Sequence, residues 1–234
     1  MYSVFGLQRF FYTLLGVTIA IFFLAVWMAE TSAGIATVSL FWKIGTGVFT
    51  TVFLLGSIPF VFKKAWRLYE RASPGAFPDL SGRWVGTLES NINIQLAVES
   101  AAKSAGGFFD ATDPKCIETE GLELLQVEVL IKSTLSLIDL SMVVKGEQVT
   151  HSHSVMCKPV CSNGGEPHKL YYVYRSNRKK PAADDESHHT GAAELDVRCD
   201  GSVLAMEGVY WTVRNWRNGR NTAGRLTLRK LSSE

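Results

Sequence analysis

The chain has 234 residues, 24 of them Lys or Arg and 22 Asp or Glu, for a net charge of +2. The charge is split: residues 1–78 carry six basic side chains (9, 43, 63, 64, 67 and 71) against Glu30 and Glu70, a balance of +4, which leaves −2 for residues 79–234. A later part that is slightly acidic excludes a bulk binder of DNA or RNA polymers, and its size suits one domain with a real core and no second.

From Phe10 to Ala29 there are 20 residues without a charge, and from Ile44 to Phe62 another 19. At about 1.5 Å of rise per residue, each run spans roughly 30 Å of hydrocarbon. Two such runs so close together read as a transmembrane hairpin rather than as a secretory signal or a core helix. Arg9 precedes the first run and Lys63, Lys64, Arg67 and Arg71 follow the second, whereas Glu30 to Trp42 has no Lys or Arg. The positive-inside bias therefore puts both termini in the cytoplasm, where Cys116, Cys157, Cys161 and Cys199 stay thiols. Neither run has an ionisable residue at its centre, which disfavours a pump or ion-coupled transporter. Gly16 and Ala20, and Gly45, Thr46, Gly47 and Thr50, permit close helix association. Pro59 is expected to loosen the last turn of the second helix, and Lys63 to Arg71 to continue as a juxtamembrane helix with Trp66 and Tyr69 as interfacial anchors. The membrane part is thus residues 1–72, and Ser73-Pro74-Gly75-Ala76-Phe77-Pro78 is a linker to residues 79–234.

After the linker the apolar period changes from 3.6 to 2. Arg83 to Glu99 reads as a long strand bent near Asn91. Glu123–Ser133, Thr134–Lys145, Gln148–Lys158, Lys169–Ser176, Gly191–Cys199, Ser202–Asn215 and Thr222–Leu231 follow as strands. No segment after Ser73 reads as a long amphipathic helix. Eight antiparallel strands with edges to hide predict an all-β, closed, lipocalin-like β-barrel able to hold one small ligand. Ser100 to Gly121 is expected as a long loop, and so is Ser176 to Thr190, which runs from Arg178-Lys179-Lys180-Pro181 to Asp184-Asp185-Glu186.

His151, His153, Cys157 and Cys161, with His168 beyond, are acceptable zinc ligands in type. However, the two histidines alternate along a strand and no second Cys pair follows, so core or loop roles are favoured. His188-His189 reads as a loop pair. No nucleophile motif, Gly-rich phosphate loop or paired carboxylates are present, so a non-enzyme is expected. The six basic residues from Arg214 to Lys230 read as a solvated rim. Tyr210, Thr212 and Arg214 share one strand face and Tyr172 and Tyr174 another, with Arg175 turned the other way or at the strand's end. Together they suggest a site for a small anion bearing bases, with tyrosine rings to stack and guanidinium groups to pair. The competing role for the tyrosines is core with a wet hydroxyl.

At Pro78-Asp79-Leu80-Ser81-Gly82-Arg83-Trp84-Val85-Gly86 a proline-led turn enters a Gly-x-Trp-x-Gly step, and a late strand reads Gly208-Val209-Tyr210-Trp211-Thr212-Val213-Arg214. With the two preceding helices, this resembles the two-transmembrane, β-strand-rich (β-barrel) effectors of bacterial cyclic-oligonucleotide antiphage defence (CBASS), which are associated with CD-NTases. The resemblance implies a cytosolic barrel that binds a cyclic dinucleotide as activating ligand, with no other cofactor. It further implies homo-oligomerisation of the hairpins and disruption of the inner membrane. It carries over no pocket residues: Tyr172, Tyr174, Arg175, Tyr210, Thr212 and Arg214 rest on the physical argument alone, and Trp84 is expected to plug the barrel base. A membrane-tethered, lipocalin-like lipid-binding barrel is the alternative, because Gly82-Arg83-Trp84 also resembles the Gly-x-Trp opening of lipocalins. A membrane-anchored zinc protein is a third.

Overall fold

The computed structural model describes residues 7–29, 34–73, 75–110, 112–146, 149–162, 166–178, 186–200 and 203–231. The chain divides into two compact units, the first built on N-terminal helices and the second on a barrel.

In the first unit α1 runs Leu7–Ala29, α2 Gly34–Ser57 and α3 Pro59–Ala72. Two segments are long and apolar enough to cross a membrane, Phe10–Met28 with 19 residues and Val38–Ser57 with 20. The second lies upstream of the expected Ile44–Phe62, for a local reason. Ile58 is held extended (φ −85°, ψ 114°) by the proline that follows it, so α2 stops at Ser57 and Pro59 opens a new helix at a position that needs no N–H. Lys43 consequently falls inside α2, as the sixth residue of the span Val38–Ser57, where a long stem can carry the ammonium toward the interface. Of the glycines expected to permit association within the hairpin or between protomers, one serves the contact between α1 and α2. A Cβ at Gly45 would lie 3.5 Å from Thr18 Cγ2, whereas Gly16 and Gly47 face nothing within 4 Å. Phe22 meets Phe41 edge to face at 5.4 Å.

The barrel is a closed meander in which each strand pairs with the next and β1 pairs with β8. Its strands are β1 Gly82–Ser90, β2 Glu123–Ser133, β3 Ile138–Lys145, β4 Thr150–Val160, β5 His168–Arg178, β6 His188–Asp200, β7 Val203–Val213 and β8 Ala223–Lys230. Seven of the eight lie largely within the expected spans. The exception is Arg83 to Glu99, of which only the first half is strand. Residues Ile92–Lys103 form a helix, α4, and Pro114–Glu120 a second, α5, inside the expected loop. Ile92, Ile94, Leu96 and Val98 alternate like a strand, but no neighbouring strand is left to accept them once β1 pairs on both sides, and the Ala-rich stretch after them favours helix. The loop expected over Ser176 to Thr190 is shorter too: β5 continues to Arg178, β6 starts at His188, and the Arg178 N–H donates to the Ser187 carbonyl at 2.8 Å. Lys179 to Asp185 lie outside the described residues.

Inward positions sort by size along the barrel. At the end where β1 begins, the interior is filled by Trp84, Ile131, Leu140, Leu170, Leu195, Met206 and Leu228, all essentially inaccessible. Trp84 is 0% exposed and its ring N–H donates to the Leu80 carbonyl at 2.9 Å, so it plugs this end as expected. Lys230 Nζ lies 5.8 Å from that ring's centroid.

Replacing Trp84 with Ala removes the largest plug from a fixed frame. Urea unfolding of the detergent-solubilised chain is expected to show a loss of about 3–5 kcal/mol for the barrel transition, and a loss under about 1 kcal/mol would show that the plug is dispensable.

Candidate functional site

At the other end of the barrel most inward side chains are polar, and with Leu88, Leu125, Met142 and Val144 they enclose a cavity of about 280 Å³. Its lining includes Ser90 of β1, Glu123 of β2, Thr150 and Ser152 of β4, Tyr174, Ser176 and Arg178 of β5, His189 of β6, Tyr210 and Thr212 of β7, and Arg214 and Thr222 of the β7–β8 loop. Strand parity puts them there. On β5, Leu170, Tyr172, Tyr174 and Ser176 are buried, while Tyr171, Arg175 and Asn177 between them face solvent.

The tyrosine rings fit because their partners are small. Tyr174 pairs across the sheet with Gly191, and Tyr210 with Ala193 and Gly224. A Cβ at Gly191 would strike the end of the Tyr174 ring, and one at Gly224 would come within 3.0 Å of Tyr210 Cε1. Burial raises the Tyr172 and Tyr174 hydroxyls well above the usual phenol range, and it raises that of Tyr210 as well. All three are therefore neutral donors and acceptors near neutral pH. Tyr210 is bonded to Ser90 and feels both Glu123 and Arg214. The hydroxyls of the wall are preordered, with Ser152 donating to Ser176 at 3.1 Å and Thr212 and Thr222 bonded at 2.8 Å.

Of the six residues singled out from the sequence, Tyr174, Tyr210, Thr212 and Arg214 line the cavity together. Tyr172 sits one layer deeper, its ring 5.7 Å from that of Tyr174. Arg175 is on the outer face, paired in register with His153 and Thr190. Sequence reading missed Arg178 and His189. The parity of Tyr172 and Tyr174 reaches Arg178, and that of Gly191, Ala193 and Leu195 reaches His189, so the information was available once the strands were extended by two or three residues.

The remaining basic residues of the late segment disperse. Arg220 pairs with Glu99 and Arg225 with Glu207, Arg217 stacks beside Trp216 at 5.6 Å, and Lys230 lies over Trp84. Arg214 alone of the six enters the cavity. The His/Cys cluster separates as well. A bulge between Ser154 and Met156 switches the parity of β4, so His151 and His153 face solvent while Cys157 faces inward against Tyr172. Burial raises the Cys157 thiol above its ordinary value, which keeps it protonated. The His168 ring accepts a hydrogen bond from the Ser162 N–H at 3.1 Å. Among the described residues no three His, Cys, Asp or Glu side chains converge.

The loop that carries Arg214 and Thr222 is tied to α4. Arg220 donates to both carboxylate oxygens of Glu99, at 2.9 and 3.0 Å, and Asn91 and Ala223 exchange hydrogen bonds at 2.9 and 3.1 Å. Asn215, at φ 46° in the left-handed region, makes the turn into this loop.

A closed barrel with one end plugged and the other a polar, cationic, tyrosine-bearing cup has the form of a small-ligand-binding barrel, and its cup suits an anion. Comparison with known proteins makes that class particular. The sequence model described as the Cap15 cyclic dinucleotide receptor domain matches residues 114–230, half of the chain, and the chain belongs to the Cap15 family. The match begins at α5 and runs through β8, so β1 and α4 lie outside it. The CD-NTase-associated protein 15 of Escherichia albertii is 30% identical over 154 residues, which is 65% of this chain and 62% of that relative.

Arg220 and Lys103 hold the Glu99 carboxyl at about 2, against an ordinary 4.5. A depressed pKa stabilises the fold fully above the ordinary value, and the contribution fades as pH falls from about 4.5 toward 2. Glu99→Gln should therefore lower the melting temperature near neutral pH and leave it unchanged near pH 2. A variant equally destabilised at both pH values would show that the charge plays no part.

Proposed function

We propose that this chain is a membrane-embedded effector of CBASS antiphage defence whose barrel binds a cyclic dinucleotide made by a partner CD-NTase. The observation that carries the reading is the placement of Arg178 and Arg214 with Tyr174 and Tyr210 in one cavity, in a barrel of the Cap15 family. Guanidinium groups pair with phosphate oxygens, tyrosine faces stack on bases, and the wall hydroxyls serve sugar and base edges. Neutral phenols add no negative charge to repel the phosphates. The role is capture rather than turnover. An acyl chain is the weaker fit, because hydroxyls and guanidiniums outnumber Leu88, Leu125, Met142 and Val144 around the cavity while the apolar half is solid with side chains.

The proposed output is assembly. Two helices are long and apolar enough for two bilayer crossings, which supports this reading. Four basic residues follow the second span and Lys43 alone lies near its start, which favours cytoplasmic termini and a cytosolic barrel at the inner membrane. A ligand that binds an oligomer better than the single chain shifts the chain toward the oligomer, and clustered hairpins then breach the bilayer. This reading needs no catalytic step.

Calorimetry of the full chain in detergent against a panel of cyclic dinucleotides tests the binding. Arg178→Ala and Arg214→Ala should each weaken it about 10- to 100-fold, the worth of a hydrogen bond to a charged group, and Arg175→Ala should leave it within about twofold. The reverse ranking would place the site on the outer face, and no binding by any ligand of the panel would end the reading. For the output, dye-loaded vesicles carrying the full chain should leak on addition of the ligand and stay sealed with Arg214→Ala. Leakage that is indifferent to ligand would separate the helices from the receptor.

A further inference from the structure

α3 has two faces with different occupants. One is taken by its own unit. Trp66 is 2% exposed, its ring lies 5.2 Å from that of Phe62 and 5.3 Å from that of Tyr69, and its N–H donates to the Phe77 carbonyl at 3.0 Å. Glu70 accepts the Asp79 N–H at 2.6 Å on the same connector. Trp66 is thus a bolt between helix and connector and not the interfacial anchor its position in the sequence suggests.

The opposite face is a single stripe. At 3.6 residues per turn, Phe60, Lys64, Leu68 and Arg71 stack one above another, with Arg67 at the edge. Phe60 and Leu68 are 66% and 68% exposed, and Lys64, Arg67 and Arg71 are exposed among them. Lys64 Nζ lies 4.5 Å from the centroid of the Phe60 ring. Large apolar side chains interleaved with cations suit an interface where stems lie along acyl chains and charged heads reach phosphate.

We infer that this face of α3 lies in the headgroup layer of an anionic phospholipid bilayer, with Phe60 and Leu68 among the acyl chains and Lys64, Arg67 and Arg71 on lipid phosphates. Two features commit the occupant to lipid. Ile58 alone separates α3 from the span Val38–Ser57, so its first turn stands at the edge of the hydrocarbon. The stripe also holds three cations and no carboxylate, the complement of an anionic headgroup surface. The inference rests on the reading of α1 and α2 as membrane-spanning and is independent of the ligand.

The test uses the full chain in nanodiscs of phosphatidylcholine mixed with phosphatidylglycerol, with the photocrosslinker p-benzoylphenylalanine in place of Phe60 or, as the buried control, of Phe62. Position 60 should give phospholipid adducts by mass spectrometry, with phosphatidylglycerol enriched about fivefold or more over its share of the bilayer, and position 62 none. Lys64→Glu with Arg67→Glu should abolish the enrichment and keep the adducts. Hydrogen exchange over residues 59–72 should be slower in the mixed discs than in phosphatidylcholine alone. Adducts to protein only, or phosphatidylglycerol in bulk proportion, overturn the inference while the membrane reading stands. A chain that does not enter the disc overturns both.

Discussion

Closure of the sheet is the constraint on which the rest of the barrel depends. Because β1 pairs with both β2 and β8, no edge remains, and every second residue of every strand must fit an interior of fixed width. Eight strands leave just enough room for side chains. A cavity can then exist only where inward residues are small, and a large inward residue is tolerated only where its neighbours make way. Trp84 and the leucines around it fill one half completely. In the other half Gly191, Ala193 and Gly224 make way, and the space they release is taken in part by Tyr174 and Tyr210, the remainder forming the cavity. The tyrosines and the cavity are therefore two consequences of one choice of small residues on β6 and β8.

The same economy preorganises the wall. The Ser152–Ser176 and Thr212–Thr222 bonds satisfy hydroxyls that burial would otherwise leave unpaired, and they fix the direction in which each presents its remaining capacity. α4 extends the ordering to the rim, since Glu99 and Asn91 hold the loop that contributes Arg214 and Thr222. A guanidinium held in place before the ligand arrives loses less freedom on binding, which is where affinity in a small cup must come from.

How much of this was legible in the sequence follows from what sets each feature. The strands β2 and β6 to β8 were legible because alternation is imposed by the barrel itself, and Trp84 because one large residue must close the narrow end. Tyr174, Tyr210, Thr212 and Arg214 could be grouped because Tyr210, Thr212 and Arg214 share a parity and Tyr174 is the same residue type on another strand. For Arg175 the sequence leaves two placements, the opposite face or the strand's end, and because β5 runs on to Arg178 the first is the one realised. Arg178 and His189 are not legible in this way because they sit at strand ends, which carry little apolar signal. Ile92 to Val98 shows the opposite failure: a period of 2 survives in the sequence, but which segment may use it depends on the strands available to pair, a tertiary fact. The bulge in β4 is of the same kind. Nothing in His151 to Cys157 announces that one extra residue turns the histidines out and leaves the cysteine in.

On the proposed function, a receptor that governs a membrane hairpin needs a connector that transmits, and part of the connector is anchored to its own helix. Trp66 holds Phe77 and Glu70 holds Asp79, so these two connector residues are tied to α3, the helix from which the connector emerges. Thermodynamics sets the remaining requirement. To move an equilibrium from mostly single chains to mostly assembled ones, the ligand must favour the assembled state by roughly 10⁴-fold, and a cup that encloses its ligand wholly would treat both states alike. A cavity of about 280 Å³ is at the small end for a nucleotide ligand. On the proposed function, part of a cyclic dinucleotide stands proud of the mouth, and that protruding part is where a neighbouring protomer can find the difference in affinity that assembly demands.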